Sequence, residues 1–371
     1  MGLPSCQPLH AWHRHGAGGQ YDRRKASHLG RGWLAASLIA ALCALPAGAE
    51  GLRLAVYGAD FSAKGPGLAL DAIAKRKEDR IEAALEVIAS ARADILLLTN
   101  IDWDFRGETL GALQKRLAGQ GLDYPFSYAP QPNTGIETGF DIDGNGRLGT
   151  ARDAQGYGWF TGQHGMALLS QFPIKAQSAR DFSALLWRDL PGNQSAKADL
   201  PAGADQVLRL SSTAHWDVPV QTPAGPLHIW AYAATPPVFD GPEDRNGRRN
   251  ADETRFWLRY LDGNLPQRPA AAPFVLMGLV NLDPDRGEGQ RAAVQTLLLD
   301  PRLQDPAPTG PGAPVAHPTA TADFGGTIGP LRVDYILPAA ELTVSGAGVI
   351  WSKGAQNAGK HRLVWVDLAL P

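Results

Sequence analysis

The sequence predicts one domain of the α/β or α+β class, built on mixed β-sheets. Helical periodicity occurs early and in the middle of the chain, and short apolar runs typical of strands lie between and after these helices. No linker divides the chain into two cores. Hydrophobic residues make up 44% of the sequence, enough for a sizeable core, and the 42 Gly and 29 Pro predict many ordered loops.

The predicted elements follow one another along the chain in this order. One helix is predicted by Ile81, Leu85 and Ile88 on a shared face, a second by Leu110, Leu113 and Leu117, and a third over residues 252–261. The predicted strands are residues 52–57, 95–98, 166–169, 207–210, 227–231, 274–277, 333–337 and 363–368. Long loops are predicted at residues 124–165, 186–205 and 301–328.

Residues 1–49 have the pattern of a signal peptide. Four basic residues, the last of them Arg31, precede an apolar stretch at residues 33–45, and Ala47-Gly48-Ala49 has the form of a cleavage site. An apolar stretch of this length is short for a hydrocarbon layer of about 30 Å. We therefore expect export to the periplasm or the medium and a mature domain over residues 50–371. A short membrane anchor remains the alternative.

The mature chain is acidic and has no cysteine. Both cysteines lie in residues 1–49, and residues 50–371 hold 30 basic and 36 acidic side chains. This balance disfavours bulk binding to duplex nucleic acid. The absence of cysteine excludes disulfides, thiolate chemistry and cysteine-based zinc sites in the mature chain. We also expect no transmembrane segment in the mature chain.

Polar residues follow several predicted strands at a similar depth. Asn100 and Asp102 come after residues 95–98, Asn281 after residues 274–277, and His361 just before the last strand. Functional sites of layered α/β proteins commonly form at such strand ends.

Three strings resemble the endonuclease/exonuclease/phosphatase superfamily, in particular its secreted bacterial branch. Residues 165–174 resemble its "G-x-A-x-L-S-x-x-P-I" strand, and residues 234–250 and 332–338 resemble two further family stretches. The resemblance covers residues 52–370. It implies the DNase I-like fold, a four-layer α/β/β/α sandwich of two mixed sheets. In active members it also implies a Mg²⁺- or Mn²⁺-dependent phosphoesterase.

Most family positions of the active site are replaced in this chain. The resemblance implies retained family residues at His361, Asn281 and Asp334. The replaced family positions are Gly58, Asn100, Ala233, Ala251, Leu279 and Lys360.

These replacements remove the groups that a divalent ion requires. Mg²⁺ prefers carboxylate oxygens, whereas Asn100 offers a neutral amide and Gly58 no side chain. Leu279 cannot accept a proton, and the cation of Lys360 repels a metal ion. The first hypothesis is therefore a pseudoenzyme without a metal cofactor that binds a phosphate-bearing or acidic ligand, or a partner protein. In this hypothesis Arg245, Lys360 and His361 bind the ligand.

The second hypothesis is an active nuclease or phosphatase with a displaced metal site. Asp60 lies two residues after Gly58, and Asp102 two after Asn100, so extended segments would point each pair the same way. Asp60 and Asp102, with Asp334 nearby, would then hold Mg²⁺ or Mn²⁺. The alternative is that Asp102 and Asp104 cap the next helix or turn.

A separate pattern lies in the first long loop. Asp141, Asp143 and Asn145, followed by Gly146, match the first half of a calcium-binding loop. Its twelfth position is Arg152 instead of glutamate, and Asp153 comes one residue late. A structural Ca²⁺ ion and an ion-free Asx turn both remain open.

Overall fold

The computed structural model describes residues 51–369, which form a four-layer sandwich. Strands β1 to β13 are Gly51–Tyr57, Ile95–Ile101, Phe126–Tyr128, Gly165–Ser170, Arg180–Asp181, Ala214–Thr222, Gly225–Ala233, Phe274–Leu279, Ala322–Asp323, Pro330–Leu331, Asp334–Pro338, Thr343–Val349 and Val364–Ala369. Helices α1 to α6 are Leu68–Lys75, Asp79–Ala91, Glu108–Ala118, Arg245–Leu261, Ala292–Leu298 and Lys353–Ala358. The predicted signal peptide lies outside the described residues.

Two mixed sheets face each other. The first has the order β12-β13-β1-β2-β4-β3, and the second β11-β8-β7-β6-β5. Each sheet contains one parallel pair, β1 with β2 and β7 with β8, and its other pairs are antiparallel. The predicted sandwich is thus confirmed.

Three apolar layers hold the sandwich together. The middle layer joins the sheets through alternate strand residues such as Val56, Leu168 and Ile229. Helices α1, α2, α3 and α6 cover the outer face of the first sheet, and α4 and α5 cover that of the second. In α2, Ile81, Leu85 and Ile88 are fully buried, as their spacing predicts.

Several predicted boundaries were wrong. Residues 207–210 do not form a strand. Leu208 and Leu210 are buried against α4. The backbone there forms only an isolated antiparallel bridge between Leu186 and Arg209, and the Arg249 guanidinium binds the carbonyl oxygens of Arg209 and Leu210. Helix α4 begins at Arg245, seven residues before the predicted start.

Other elements were absent from the prediction. The predicted loop 124–165 contains β3, and the predicted loop 301–328 contains β9. Strands β6 and β12 and helices α1, α5 and α6 were also not predicted. Among the described helices, none is both long and apolar enough to cross a membrane.

Candidate functional site

One end of the second sheet presents a row of three neighbouring residues. Ala233 of β7 pairs with Leu279 of β8, and Leu279 pairs with Asp334 of β11. Ala233 and Asp334 are buried, and Leu279 is half-buried against the middle apolar layer. Two of these three positions therefore carry only alkyl groups, and the one carboxylate lies at the sheet edge.

His361 connects the two sheets at this end. It immediately precedes the segment leading into β13 of the first sheet, and its Nδ1 lies 2.9 Å from Oδ2 of Asp334 in the second. The same carboxylate oxygen accepts a hydrogen bond of 3.0 Å from the Thr321 hydroxyl. The other oxygen, Oδ1, is buried and has no hydrogen-bond partner within residues 51–369. Thr321, His361 and Asp334 thus form a connected polar group.

The ring of His361 occupies the space beside Gly58. A Cβ atom at position 58 would lie 2.8 Å from Cγ of His361, closer than real Cβ contacts. Phe324 packs edge-on against the ring, with centroids 5.7 Å apart. A side chain at position 58 would therefore exclude the His361 ring from the position that it occupies.

Asn100, the residue before the last one of β2, has a strained backbone conformation, and both polar atoms of its side chain bind protein groups. Its φ is 64°, at a break in the pairing of β2 with β4. Its Oδ1 lies 2.5 Å from Nδ1 of His164, and its Nδ2 donates to Oδ1 of Asp60 at 3.2 Å. Asp60 in turn pairs with Arg80 at 3.1 Å. Burial lowers the pKa of His164, which favours its neutral form.

The remaining acids near β2 bind backbone amides. Oδ2 of Asp102 accepts from the amide of Ala63 at 3.1 Å, and Oδ1 from the amide of His164 at 3.2 Å. Burial raises the pKa of Asp102. Asp104 accepts from amides in the first turn of α3, including Thr109 at 2.8 Å. Asp104 thus caps the helix, and Asp102 ties two loops together.

Asn281 and Arg245 also have protein partners. Asn281 has a φ of 59° and donates through Nδ2 to the carbonyl oxygen of Ala234 at 2.8 Å. Arg245 donates to the carbonyl oxygens of Ala198 and Asp199. Within the described chain, no hydrogen bond or ion pair joins Arg245 to Lys360 or His361. Lys360 is exposed, and its Nζ lies 5.8 Å from the Phe324 ring centroid.

A buried network that the sequence analysis missed fixes the ends of β7 and β8. Asn250 of α4 donates to the carbonyl oxygens of Thr235 and Val280 at 2.7 and 2.8 Å. Oε2 of Glu253 accepts from the amide of Thr235 at 2.8 Å, and Oε1 from Ser212. The sequence signal was the run of charged and amide residues within a helix whose inner face also carries Phe256 and Trp257.

The only group of three or more acidic, His or Cys side chains within residues 51–369 that could hold a metal lies elsewhere. It consists of Asp141, Asp143 and Asp153, with oxygens within 4.8 Å of one another. Asp153 accepts from the amides of Ile142 and Thr150, and Asp141 from those of Asn145 and Gly146. Asp153, one residue late for a calcium loop, thus completes the acidic group.

The sequence model described as "Endonuclease/Exonuclease/phosphatase family" matches residues 68–356. The chain belongs to the endonuclease/exonuclease/phosphatase family. One similar solved structure is an endonuclease/exonuclease/phosphatase from Beutenbergia cavernae DSM 12333, with 17% sequence identity and a TM-score of 0.54; the match covers 86% of this chain and 72% of that chain. Another is an endonuclease/exonuclease/phosphatase family protein from Leptotrichia buccalis C-1013-b, with 14% sequence identity and a TM-score of 0.52; the match covers 85% of this chain and 99% of that chain. No curated protein matches the chain.

Members of this family generally use Mg²⁺ or Mn²⁺, and the donors at the strand ends do not fit such an ion. Both polar atoms of the Asn100 amide bind protein groups, and Asp60 is paired with Arg80. Asp60, Asp102 and Asp334 do not form a metal-holding group among the described residues. An ion there would have to displace these partners and approach without the carboxylates that Mg²⁺ prefers.

Proposed function

We propose that this family member is exported and acts as a pseudoenzyme that binds a phosphate-bearing small molecule at the end of the sandwich. The observation that carries the proposal is the in-register row of Ala233, Leu279 and Asp334. Two alkyl groups stand beside the one buried carboxylate, so the row supplies no second acid or base to orient water or protonate a leaving group.

The charge at this end supports an anionic ligand. Lys360 is exposed and forms no ion pair with any residue between 51 and 369, while Asp60 is already paired with Arg80. The Lys360 ammonium and the His361 ring lie 5.8 and 5.7 Å from the Phe324 ring centroid, and an exposed ammonium attracts phosphate. A carboxylate of another small molecule would be held by the same charge more weakly.

Two measurements test the proposal. Hydrolysis of bis(p-nitrophenyl) phosphate and p-nitrophenyl phosphate with Mg²⁺ or Mn²⁺ should stay at the level without enzyme. Inorganic phosphate, titrated calorimetrically, should bind, and Lys360→Ala should weaken this binding roughly tenfold. Lys115→Ala, in the last turn of α3, is the matched control and should bind phosphate like the wild type.

Metal-dependent turnover lost in both Asp102→Ala and His361→Ala would instead establish the displaced-site phosphoesterase. Equal phosphate affinity in the Lys360→Ala and Lys115→Ala variants would contradict the proposed ligand site.

For the acidic group of Asp141, Asp143 and Asp153 we propose an ion-free Asx-rich loop. The support is that five of its six carboxylate oxygens accept hydrogen bonds from the loop itself. Added Ca²⁺ should leave the melting temperature unchanged, and a rise that disappears in Asp153→Asn would establish a calcium site.

A further inference from the structure

His361 is held so that a single ring nitrogen remains available. Nδ1 is bound to Asp334 at 2.9 Å, and the ring is confined between Gly58 and Phe324. Nε2 forms no hydrogen bond to any part of the chain that the structure describes, and 16% of the side chain is exposed. In the neutral ring, a proton on Nδ1 leaves the lone pair on Nε2.

Asp334 is placed to stabilise a cationic form of this ring. The carboxylate is fully buried, and its other hydrogen-bond donor among the described residues, the Thr321 hydroxyl, is neutral. Its charge therefore has no cationic hydrogen-bond partner within residues 51–369 other than the imidazole. A substituent on Nε2 would make the ring positive, and the Nδ1–Asp334 contact would become a buried ion pair.

The neighbouring residues restrict which leaving group is possible. Ala233 and Leu279 cannot donate a proton, and the carboxylates near β2 do not fit a metal ion that would stabilise an alkoxide. A displaced group must therefore leave as a stable anion without protonation. Carboxylate leaving from an acyl phosphate meets this condition.

We propose that Nε2 of His361 is a covalent phosphoryl acceptor for an acyl phosphate. The Nε2 lone pair attacks phosphorus, the phosphorus–oxygen bond to the acyl group breaks, and its electron pair leaves with the carboxylate. The ring keeps its Nδ1 proton and becomes a phosphoimidazolium paired with Asp334. Lys360 supplies positive charge for the phosphoryl group. This step rests on the proposed phosphate site.

The test is phosphoryl labelling of the full chain in EDTA. The protein is incubated with acetyl phosphate, and the acid-labile label is located by mass spectrometry at neutral pH. The wild type should gain one phosphoryl group on His361, and His361→Asn should gain none. Asp334→Asn should label more slowly, on the order of 10²-fold, because the ring loses its counter-charge. His317→Asn, in the 301–328 loop, should label like the wild type.

Gly58→Ala is the second variant, because it keeps the side chains of His361 and Asp334 and changes only the position of the ring. Its Cβ would displace the ring, so labelling should fall while the melting temperature stays close to that of the wild type. Three results would each overturn the proposal that His361 accepts a phosphoryl group: a label on another residue of the wild type, an unchanged label in Gly58→Ala, or no label on a wild-type protein that binds inorganic phosphate. Each of them would leave the proposed binding function standing. Loss of phosphate binding by the wild type would overturn both.

Discussion

Single residues at the strand ends are constrained by their neighbours more than by their own chemistry. Gly58 leaves room for the ring of His361, and Asn100 adopts a φ of 64° while binding Asp60 and His164. Residues other than glycine that adopt this left-handed backbone conformation store strain, and they cluster at functional sites. The sequence identified Gly58, Asn100 and His361 as site positions. It could not show that two of them compete for one space, because that depends on the packing of β1 against the segment before β13.

His215 offers a test of a buried titratable side chain. Its Nε2 donates to the carbonyl oxygen of Glu253 at 2.9 Å, and its Nδ1 lies 2.7 Å from the Ser211 hydroxyl. Burial lowers its pKa to about 4. The unfolded chain, with an ordinary pKa near 6.5, therefore binds a proton first as the pH falls. We expect His215 to cost about 3 kcal/mol of unfolding free energy between pH 7 and pH 4.

The measurement is urea unfolding at several pH values for the wild type and for His215→Gln. Glutamine can still donate to the Glu253 carbonyl but does not titrate. The stability of the variant should fall less steeply below pH 6.5, and parallel curves would show that His215 does not contribute.

At the scale of elements, side-chain hydrogen bonds limit how far some apolar segments extend their backbone pairing. The alternation of Leu208 and Leu210 predicts a strand, but the segment forms only one isolated bridge, with Leu186, and Arg249 binds the carbonyl oxygens of Arg209 and Leu210. The alternation of apolar residues indicates which side chains are buried, but it does not indicate the hydrogen-bond partners of the backbone. The strand at residues 207–210 was therefore predicted wrongly. Conversely, the Asx-rich run around Asp141 correctly indicated a tight loop, and only the fold could bring Asp153 to it.

Asp153 is the residue on which this loop depends most. It is buried and accepts from the amides of Ile142 and Thr150 and from the Thr150 hydroxyl, all within 2.9 Å. Asp153→Ala leaves these donors without an acceptor, so we expect a loss of about 1–3 kcal/mol in unfolding free energy. Asp143→Ala removes a side chain with one long hydrogen bond of 3.3 Å and should cost less. Chemical denaturation of both variants checks the order, and equal losses would contradict it.

At the scale of the whole molecule, the sandwich and its site are specified by different residues. The apolar strands that join the sheets were predictable from composition and alternation, and the family strings implied four layers. The site chemistry was predictable only as a set of substitutions. The partners of those residues, such as His164 for Asn100 and His361 for Asp334, lie 64 and 27 residues away in the chain and carry no local sequence signal.

Because the scaffold does not depend on the replaced positions, metal binding should be recoverable. Ala233, Leu279 and Asp334 remain in register, so Leu279→Asp places a second carboxylate beside Asp334. Combined with Asn100→Glu and Lys360→Asp, it supplies the hard oxygen ligands that Mn²⁺ prefers and removes the opposing cation. We expect the triple variant to bind Mn²⁺ more tightly than the wild type, measured by electron paramagnetic resonance of the free ion.

Lys360→Ser with the other two changes separates the added ligands from the removed charge. It should bind more weakly than the triple variant but more tightly than the wild type. If a folded triple variant binds no more Mn²⁺ than the wild type, the strand ends have lost the geometry of the metal site as well as its side chains, and scaffold and site are not specified by separate residues.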